Sequence, residues 1–456
     1  MSGFAGLVLA AGHGTRMKSE LLKVLHPVMG VPMVSLVVGA LCDAGIDRPA
    51  VVIGYQGEAV RSCLGDAVSY VHQEEQRGTG HAVSAAAENL EASRDVLVVN
   101  GDVPLVTGDM LGRLMRRHRE SGAAATLLTA VMDDPTGLGR VVRDESGEMV
   151  KIVEETDASH AEAAIREINT AIACFRVSSL LETLPLLRPD NVQGEYYLPD
   201  VFPLLHERGL TVQTVRATDN RSVLGVNTRR ELAEVTGILR GRILDEVMDR
   251  GVTVMDPDTT WIYPGVEVEC DTVIYPFTTI ETGSRIGSRC HIGPMTHLID
   301  ARLGDDVSVR YSLVTESCLG DGVTVGPFSH LRPGNELADG VRVGNFAEVK
   351  NSRIDNGSKL PHHCYVGDAE IGEGVNVGAG TITVNYDGRR KHRTVVGNRA
   401  FIGCNSNLIA PVEVGEGGFV AAGSTITRDV PPDGLAVARG RQKNKEGWAH
   451  RYLRKD

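Results

Sequence analysis

The sequence predicts an α/β chain in three parts. These are a doubly wound, Rossmann-like α/β domain over residues 1–227, a linker helix over 228–250, and a parallel β-helix of hexapeptide repeats over 251–456. Three observations carry the reading. The first half alternates short apolar runs with amphipathic stretches, as helices wound on a parallel sheet require. The stretch after Asn227 opens with Thr228 and Glu231 as a capping box. It then carries one apolar stripe, Leu232, Val235, Leu239, Ile243 and Val247, until Gly251. Beyond it, aliphatic residues return every six positions, the sequence mark of a β-helix.

In the first part, strands are expected at 4–10, 49–54, 68–72, 95–100, 124–131, 139–143 and 170–176, and helices at 31–45, 57–64, 78–90 and 108–121. In the last part the period runs through Ile262, Val268, Ile274, Ile280, Ile286, Ile292 and Leu298. It resumes from Leu319 through Val325, Leu331, Leu337 and Val343 to Val349, and again from Val396 to Ile426. Three hexapeptides make one coil, so residues about 18 apart should stack. A core this narrow has little room for aromatic rings, and these make up only 4% of the chain. The register slips between Val309 and Leu319, and a polar insertion, Asn385–Thr394, interrupts the third run. Such departures from a regular scaffold are where function tends to sit.

Composition narrows the function classes. With 59 acidic against 47 basic residues the net charge is −12, which argues against nonspecific nucleic-acid binding. No run approaches the roughly 20 apolar residues of a membrane span. The opening run Phe4–Ala11 has neither a basic segment before it nor a cleavage site after it, so a soluble, cytoplasmic protein is expected. The eight cysteines form no C-x-x-C pair and read as reduced, mostly buried thiols.

The segment Leu9-Ala10-Ala11-Gly12-His13-Gly14-Thr15-Arg16-Met17, followed by Lys23 and Pro32-Met33, resembles the sugar-nucleotidyltransferase signature. Joined to a hexapeptide β-helix with an Asn385-Tyr386-Asp387-Gly388 insertion, it makes the chain similar, essentially end to end, to a bifunctional family. That family is N-acetylglucosamine-1-phosphate uridylyltransferase/glucosamine-1-phosphate acetyltransferase. The resemblance implies a cytoplasmic homotrimer with Mg²⁺ as cofactor and acetyl-CoA and UTP as co-substrates, making UDP-N-acetylglucosamine for cell-wall and lipopolysaccharide synthesis. It also implies a left-handed β-helix, whereas the crossover rule alone predicts a right-handed one.

Gly12, Gly14 and Thr15 follow the first strand, where backbone N–H groups can face a triphosphate. Without G-K-[ST] the loop is no Walker A motif. Arg16 and Lys23 place two cations just downstream, suited to charge that builds on transferring phosphates. Leu9, Ala10 and Ala11 belong to the same nucleotide-binding run, and Gln73, Gly78 and Thr79 are placed to read the base edge. Asp102 ends the most apolar strand, at the carboxyl edge where open α/β sheets bind ligands, and is the expected Mg²⁺ ligand. The resemblance makes Asn227 its partner and assigns the sugar phosphate to Gly139, Glu154, Asn169 and Asn227.

In the repeat domain Arg332 and Lys350 are 18 apart and should stack as two unpaired cations, a phosphate site. The resemblance adds Tyr365 and Asn376 to that site and selects His362 as the base that deprotonates the attacking amine. It gives coenzyme A to Ala379, Asn385, Tyr386, Cys404, Ala422 and Arg439. The basic tail Lys443–Trp448 is suited to CoA phosphates and, by the same resemblance, reaches a neighbouring subunit. The chain departs from the family at His13 (for Lys), Leu22 (for Pro), Ala171 (for Gly) and Cys404 (for Ser). Two rival readings remain at this level: a monofunctional nucleotidyltransferase with a regulatory β-helix, and a non-catalytic assembly subunit.

Overall fold

The computed structural model describes residues 3–12 and 14–453, so the His13 departure lies outside the described residues. The chain divides into two compact units, Met1–Leu239 and Arg240–Asp456.

The first unit is built on β1 (Phe4–Leu9), β2 (Ala50–Ile53), β3 (Ser69–His72), β4 (Asp95–Asn100), β5 (Ala125–Val131), β6 (Arg140–Arg143), β7 (Met149–Val153), β8 (Glu167–Arg176) and β9 (Val212–Arg216). The main sheet runs β9-β5-β8-β4-β1-β2-β3. Strands β1 to β4 pair in parallel, and so do β5 and β9. Strand β8 is the exception to the parallel sheet expected from sequence, running antiparallel to both β4 and β5. Between β5 and β8 the chain forms the β6–β7 hairpin, whose β6 also pairs with β8 through Arg140 and Ile168. Both faces are covered. Helices α1 (Met33–Asp43) and α2 (Gly57–Leu64) pack on one face, while α3 (Thr79–Ala85) lies on the other. The helix expected over 78–90 breaks at Ala86 into α3 and a short α4 (Ala87–Leu90). Helix α5 (Gly108–Ser121) joins the α1 face, started by the Thr107 side chain accepting from the Met110 N–H and stopped by left-handed Gly122.

Helix α6 (Arg229–Asp249) lies where a helix is expected over 228–250, and the division between the two units falls within it. Glu231 N–H donates to Thr228 Oγ1 at 3.3 Å, and Thr228 N–H donates back to Glu231 Oε2 at 2.9 Å, the reciprocal capping box. Within the first unit Val235 packs with Met17, Val28, Met33, Leu105 and Val226.

The second unit is three parallel stacks of 11, 10 and 9 short strands, the walls of a left-handed β-helix of hexapeptide repeats. The right-handed crossover rule does not carry over, since it depends on strand twist and strands such as Thr279–Ile280 and Arg285–Ile286 are only two residues long. The periodic aliphatic residues are the core: Ile262, Ile274, Ile280, Ile292 and Leu298 are fully buried. Ile280 pairs with Leu298, 18 residues on. Arg302 pairs with Cys318, only 16 on, which is the register slip, and Ala369 pairs with Thr394, 25 on, spanning the insertion. One corner carries a left-handed residue per coil: Phe277, Met295, Tyr311, Phe328, Phe346 and His363. Phe328 stacks on Phe346 with centroids 5.5 Å apart.

The cysteines correct one expectation. All are free, but only Cys174, Cys290 and Cys364 are buried, while Cys42, Cys63, Cys270, Cys318 and Cys404 are exposed.

Candidate functional site

In the first unit the carboxyl ends of β1 and β4 open onto two adjoining cavities of about 540 and 740 Å³. The smaller is lined by the whole glycine loop, Leu9 to Gly12 with Gly14 and Thr15, together with Lys23, Gln73, Gly78 and Thr79. The larger brings Gly139, Glu154, Asn169 and Asn227 to Arg16, Lys23 and Asp102. Gly78, at φ +105°, is required where it stands, since a Cβ would meet the Tyr196 carbonyl oxygen at 2.6 Å.

The two cavities meet at a small polar knot. The Lys23 ammonium donates to Asp102 Oδ2 and, at 3.1 Å, to Asn227 Oδ1, which also accepts from Arg16 at 2.9 Å. A carboxylate and an amide oxygen thus converge on one cation. Asn227 is held from behind, because the backbone N–H groups of Asn227 and Thr228 both donate to Glu231. The helix cap and this knot are one construction. The same two oxygens suit Mg²⁺, a hard cation that takes one or two carboxylates and fills its remaining positions with phosphate oxygens and water.

The end of the larger cavity expected to take the sugar is acidic. Burial lifts the Glu154 pKa, as do the charges of Asp157 and Asp200, with Arg140 opposing. Tyr197 is pushed up to about 12 by burial and by Asp157 and Glu154. Glu195, Tyr197 and Asp200 lie outside the sequence-derived set. They come from an irregular segment without periodicity, which offered no signal. Asn169 Oδ1 accepts from the Ala171 N–H at 2.9 Å, fixing which end of its amide is left for a ligand. Ala171 itself is left-handed, at φ +57°.

In the second unit the expected acetyl-transfer residues fall into three contacting groups. His362 Nδ1 lies 2.8 Å from Asn345 Oδ1, its partner in the next coil, so Nδ1 donates and Nε2 keeps its lone pair. Asn345 was missed by sequence reasoning, although its 17-residue offset is one coil. The second group gathers about Lys350. Arg332 is not unpaired as expected, because it donates to Glu348 at 3.0 Å. A second cation comes instead from the insertion: contact with the Lys391 ammonium, and repulsion by its charge, hold the Lys350 pKa below the usual lysine value. Asn385 donates to Asp368 Oδ2 at 2.5 Å and lies 3.4 Å from the Tyr365 hydroxyl, and Tyr386 bridges to Lys391. Asn376 sits on the neighbouring wall, one residue before Val377.

The third group is a column of small residues. The Ala379 carbonyl accepts from Asn405 N–H, the Cys404 carbonyl accepts from Gly423 N–H, and Arg439 donates to the Ala422 carbonyl at 2.6 Å. Gly403 has no room for a Cβ, which would lie 2.5 Å from the Ala422 nitrogen. The coils therefore approach one another closely along this column.

Comparison with known proteins agrees with both halves. Residues 6–169 match the MobA-like NTP transferase domain, and residues 393–428 match the bacterial transferase hexapeptide of six repeats. A bifunctional protein GlmU from Heliobacterium modesticaldum is 50% identical over 446 residues, 98% of this chain and 97% of the relative. The bifunctional GlmU proteins of Brevibacillus brevis and of an Exiguobacterium species are 48% and 51% identical, over 100% and 98% of this chain and 99% of each relative. Both domain types and the full-length identity together place this chain in the bifunctional GlmU family.

Proposed function

We propose that the chain carries two transferase activities in sequence. Residues 251–456 transfer acetyl from acetyl-CoA to glucosamine 1-phosphate, and residues 1–227 then transfer uridylyl from UTP to N-acetylglucosamine 1-phosphate, giving UDP-N-acetylglucosamine and pyrophosphate. The observation that carries the reading is the knot of Lys23, Asp102, Asn227 and Arg16, at the junction of the glycine-loop and sugar cavities.

In the acetyl half the amine attacks the thioester carbonyl and CoA leaves as the thiol. His362 Nε2 takes the amine proton, with Asn345 holding the ring in the productive tautomer. Lys350 and Lys391, joined by Arg332, attract the sugar phosphate, and the column Ala379, Cys404, Ala422 and Arg439 receives the pantetheine arm. Cys404 acts as a binding surface, not a nucleophile.

In the uridylyl half no protein nucleophile is needed, because the sugar 1-phosphate oxygen attacks the α-phosphorus directly. Asp102 and Asn227 would hold Mg²⁺, which supplies charge neutralisation on the phosphates when bound. Lys23 and Arg16 grip the same phosphates, Gln73, Gly78 and Thr79 bind the base, and Gly139, Glu154 and Asn169 bind the sugar.

The protein is proposed to be a cytoplasmic homotrimer. Among the described residues no helix is long and apolar enough to cross a membrane. The exposed corner stripe Phe277, Met295, Tyr311, Phe328 and Phe346 offers a surface for a second copy. His363, next to the proposed base, is the following rung of that ladder.

The test is a single reaction containing glucosamine 1-phosphate, acetyl-CoA, UTP and Mg²⁺, with thiol and pyrophosphate recorded separately. Thiol should appear without UTP, and pyrophosphate only when acetyl-CoA or N-acetylglucosamine 1-phosphate is present. Asp102→Ala should abolish pyrophosphate release and spare thiol release, and His362→Ala should lower thiol release by about 10²–10⁴-fold while sparing pyrophosphate release when N-acetylglucosamine 1-phosphate is supplied. Loss of both activities in either folded variant would refute separate sites.

A further inference from the structure

We infer that Asp368 is a positioning residue for acetyl transfer, which holds the Asn385 amide with its NH₂ end inward so that Oδ1 is offered to an N–H of the pantetheine arm; this rests on the acetyl-transfer reading above. Asp368 is only 7% exposed, and neither transferase step uses its carboxylate. Each of its oxygens is taken by an amide. Oδ1 accepts from Asn351 at 2.6 Å, one coil away, and Oδ2 accepts from Asn385 at 2.5 Å, at the start of the insertion. An ionised carboxylate only accepts, so the atom of the Asn385 amide that faces it is the NH₂ nitrogen.

No other contact among the described residues sets that polarity. The Tyr365 hydroxyl, 3.4 Å from the same nitrogen, can donate or accept and tolerates either end of the amide. The His392 N–H donates to the Asn385 carbonyl at 2.8 Å, which holds the backbone and leaves the side chain free to turn. The inner end is closely fitted as well. A Cβ on Gly367 would lie 2.8 Å from the amide nitrogen, so the amide rests directly on the Gly367 backbone.

What remains for a ligand is Asn385 Oδ1, which has no hydrogen-bond partner among the described residues. Coenzyme A carries amide N–H groups along its pantetheine arm, and an acceptor held in one orientation matches such a donor. Turned end for end, Asn385 would set its own N–H against the N–H of the arm, and the hydrogen bond that water had made would be lost. The arm is remote from the reacting carbonyl, so this contact serves binding equally before and during the reaction.

The experiment measures thiol release by the full-length protein with acetyl-CoA and glucosamine 1-phosphate varied in turn. It compares wild type with Asp368→Gly, which removes the acceptor and suits the left-handed backbone at φ +49°, and with Asp368→Ala as a second removal variant. Asp368→Asn is the conservative variant. Its oxygen can serve Asn385, while Asn351, itself exposed, turns to meet its NH₂. Circular dichroism reports whether each variant keeps the fold. Either removal variant should raise KM for acetyl-CoA by about tenfold, with kcat within about threefold of wild type. Asp368→Asn should stay within about threefold on both. In an Asn385→Ala background Asp368→Gly should add no further rise, because it acts through that amide. An unchanged KM for acetyl-CoA in a folded removal variant, an equal loss in Asp368→Asn, or a full further loss in the Asn385→Ala background overturns the inference. A rise confined to KM for glucosamine 1-phosphate also overturns it, since Asp368 would then act through Lys350, which its charge faces. Wild type that releases pyrophosphate from N-acetylglucosamine 1-phosphate but no thiol would instead remove the acetyl-transfer reading, and this inference with it.

Discussion

Ala171 shows how much a single position can hide from sequence. Against the family pattern, alanine for glycine reads as a minor change. The structure places it in the left-handed region at φ +57°, where the register of β8 shifts between Asn169 and Ala173. An alanine there costs about 1–2 kcal/mol over glycine, partly offset because glycine is more disordered when unfolded. Ala171→Gly should therefore stabilise the protein by about 0.5–1 kcal/mol, read as a rise in Tm. The glycine loop, Lys23 and Asp102 were legible because each is a chemically distinctive residue at a strand end. Asn345, Lys391 and Tyr197 were not, since each acquires its role from a neighbour distant in sequence. Glu154 was legible by resemblance, but its environment was not. With its pKa raised by burial, it loses the carboxylate form at a higher pH than an exposed glutamate, whose value is about 4.3. As pH falls from neutrality, KM for N-acetylglucosamine 1-phosphate should rise before ordinary glutamates titrate. Glu154→Gln should remove that inflection from the KM–pH profile, because an amide does not titrate. An inflection that survives the substitution would belong to another group.

At the scale of elements, strong periodicity translated directly into structure, while short half-exposed pieces did not. The linker helix and the six-residue repeat were readable because many in-phase aliphatic residues point to one core. Strands β7 and β9 escaped notice because one is half of a hairpin and the other an edge strand with intermediate burial. The cap of α6 was readable as a cap, but not as part of the site. Glu231 Oε2 accepts from both Thr228 and Asn227, so the helix start holds a metal-ligand candidate in place. Glu231→Ala should cost about 1 kcal/mol of stability as a lost cap. It should also raise the Mg²⁺ concentration for half-maximal pyrophosphate release, since Asn227 loses its backbone anchor. Thr228→Ala removes the other half of the box without touching Asn227, and should lower Tm while leaving the Mg²⁺ dependence within twofold. Equal Mg²⁺ shifts in the two variants would mean that helix stability alone governs the site.

At the scale of the whole molecule, the narrow β-helix core leaves aromatic residues nowhere to go but outward. The 8 phenylalanines and 10 tyrosines of the chain are few, yet Tyr311, Phe328 and Phe346 are spent on one exposed corner. Tyr311 is 38% exposed, and Phe328 and Phe346 are each 57% exposed. Their rings contact one another, with centroids 5.5 Å apart at each step. That is more contiguous apolar surface than scattered single exposures, and such a patch marks an interaction site. In the proposed trimer a second copy would cover this corner, and because the ladder continues through His363 beside the proposed base, a partner seated along it would border the acetyl site. Phe328→Glu combined with Phe346→Glu would place like charges on adjacent rungs. The β-helix core behind them, Val325, Leu331, Val343 and Val349, would be untouched. The variant should sediment as a monomer with native circular dichroism, lose most thiol release and retain pyrophosphate release from N-acetylglucosamine 1-phosphate. A variant that still sediments as a trimer would move the interface to another face, and a monomer with full thiol release would show that one chain completes the acetyl site alone.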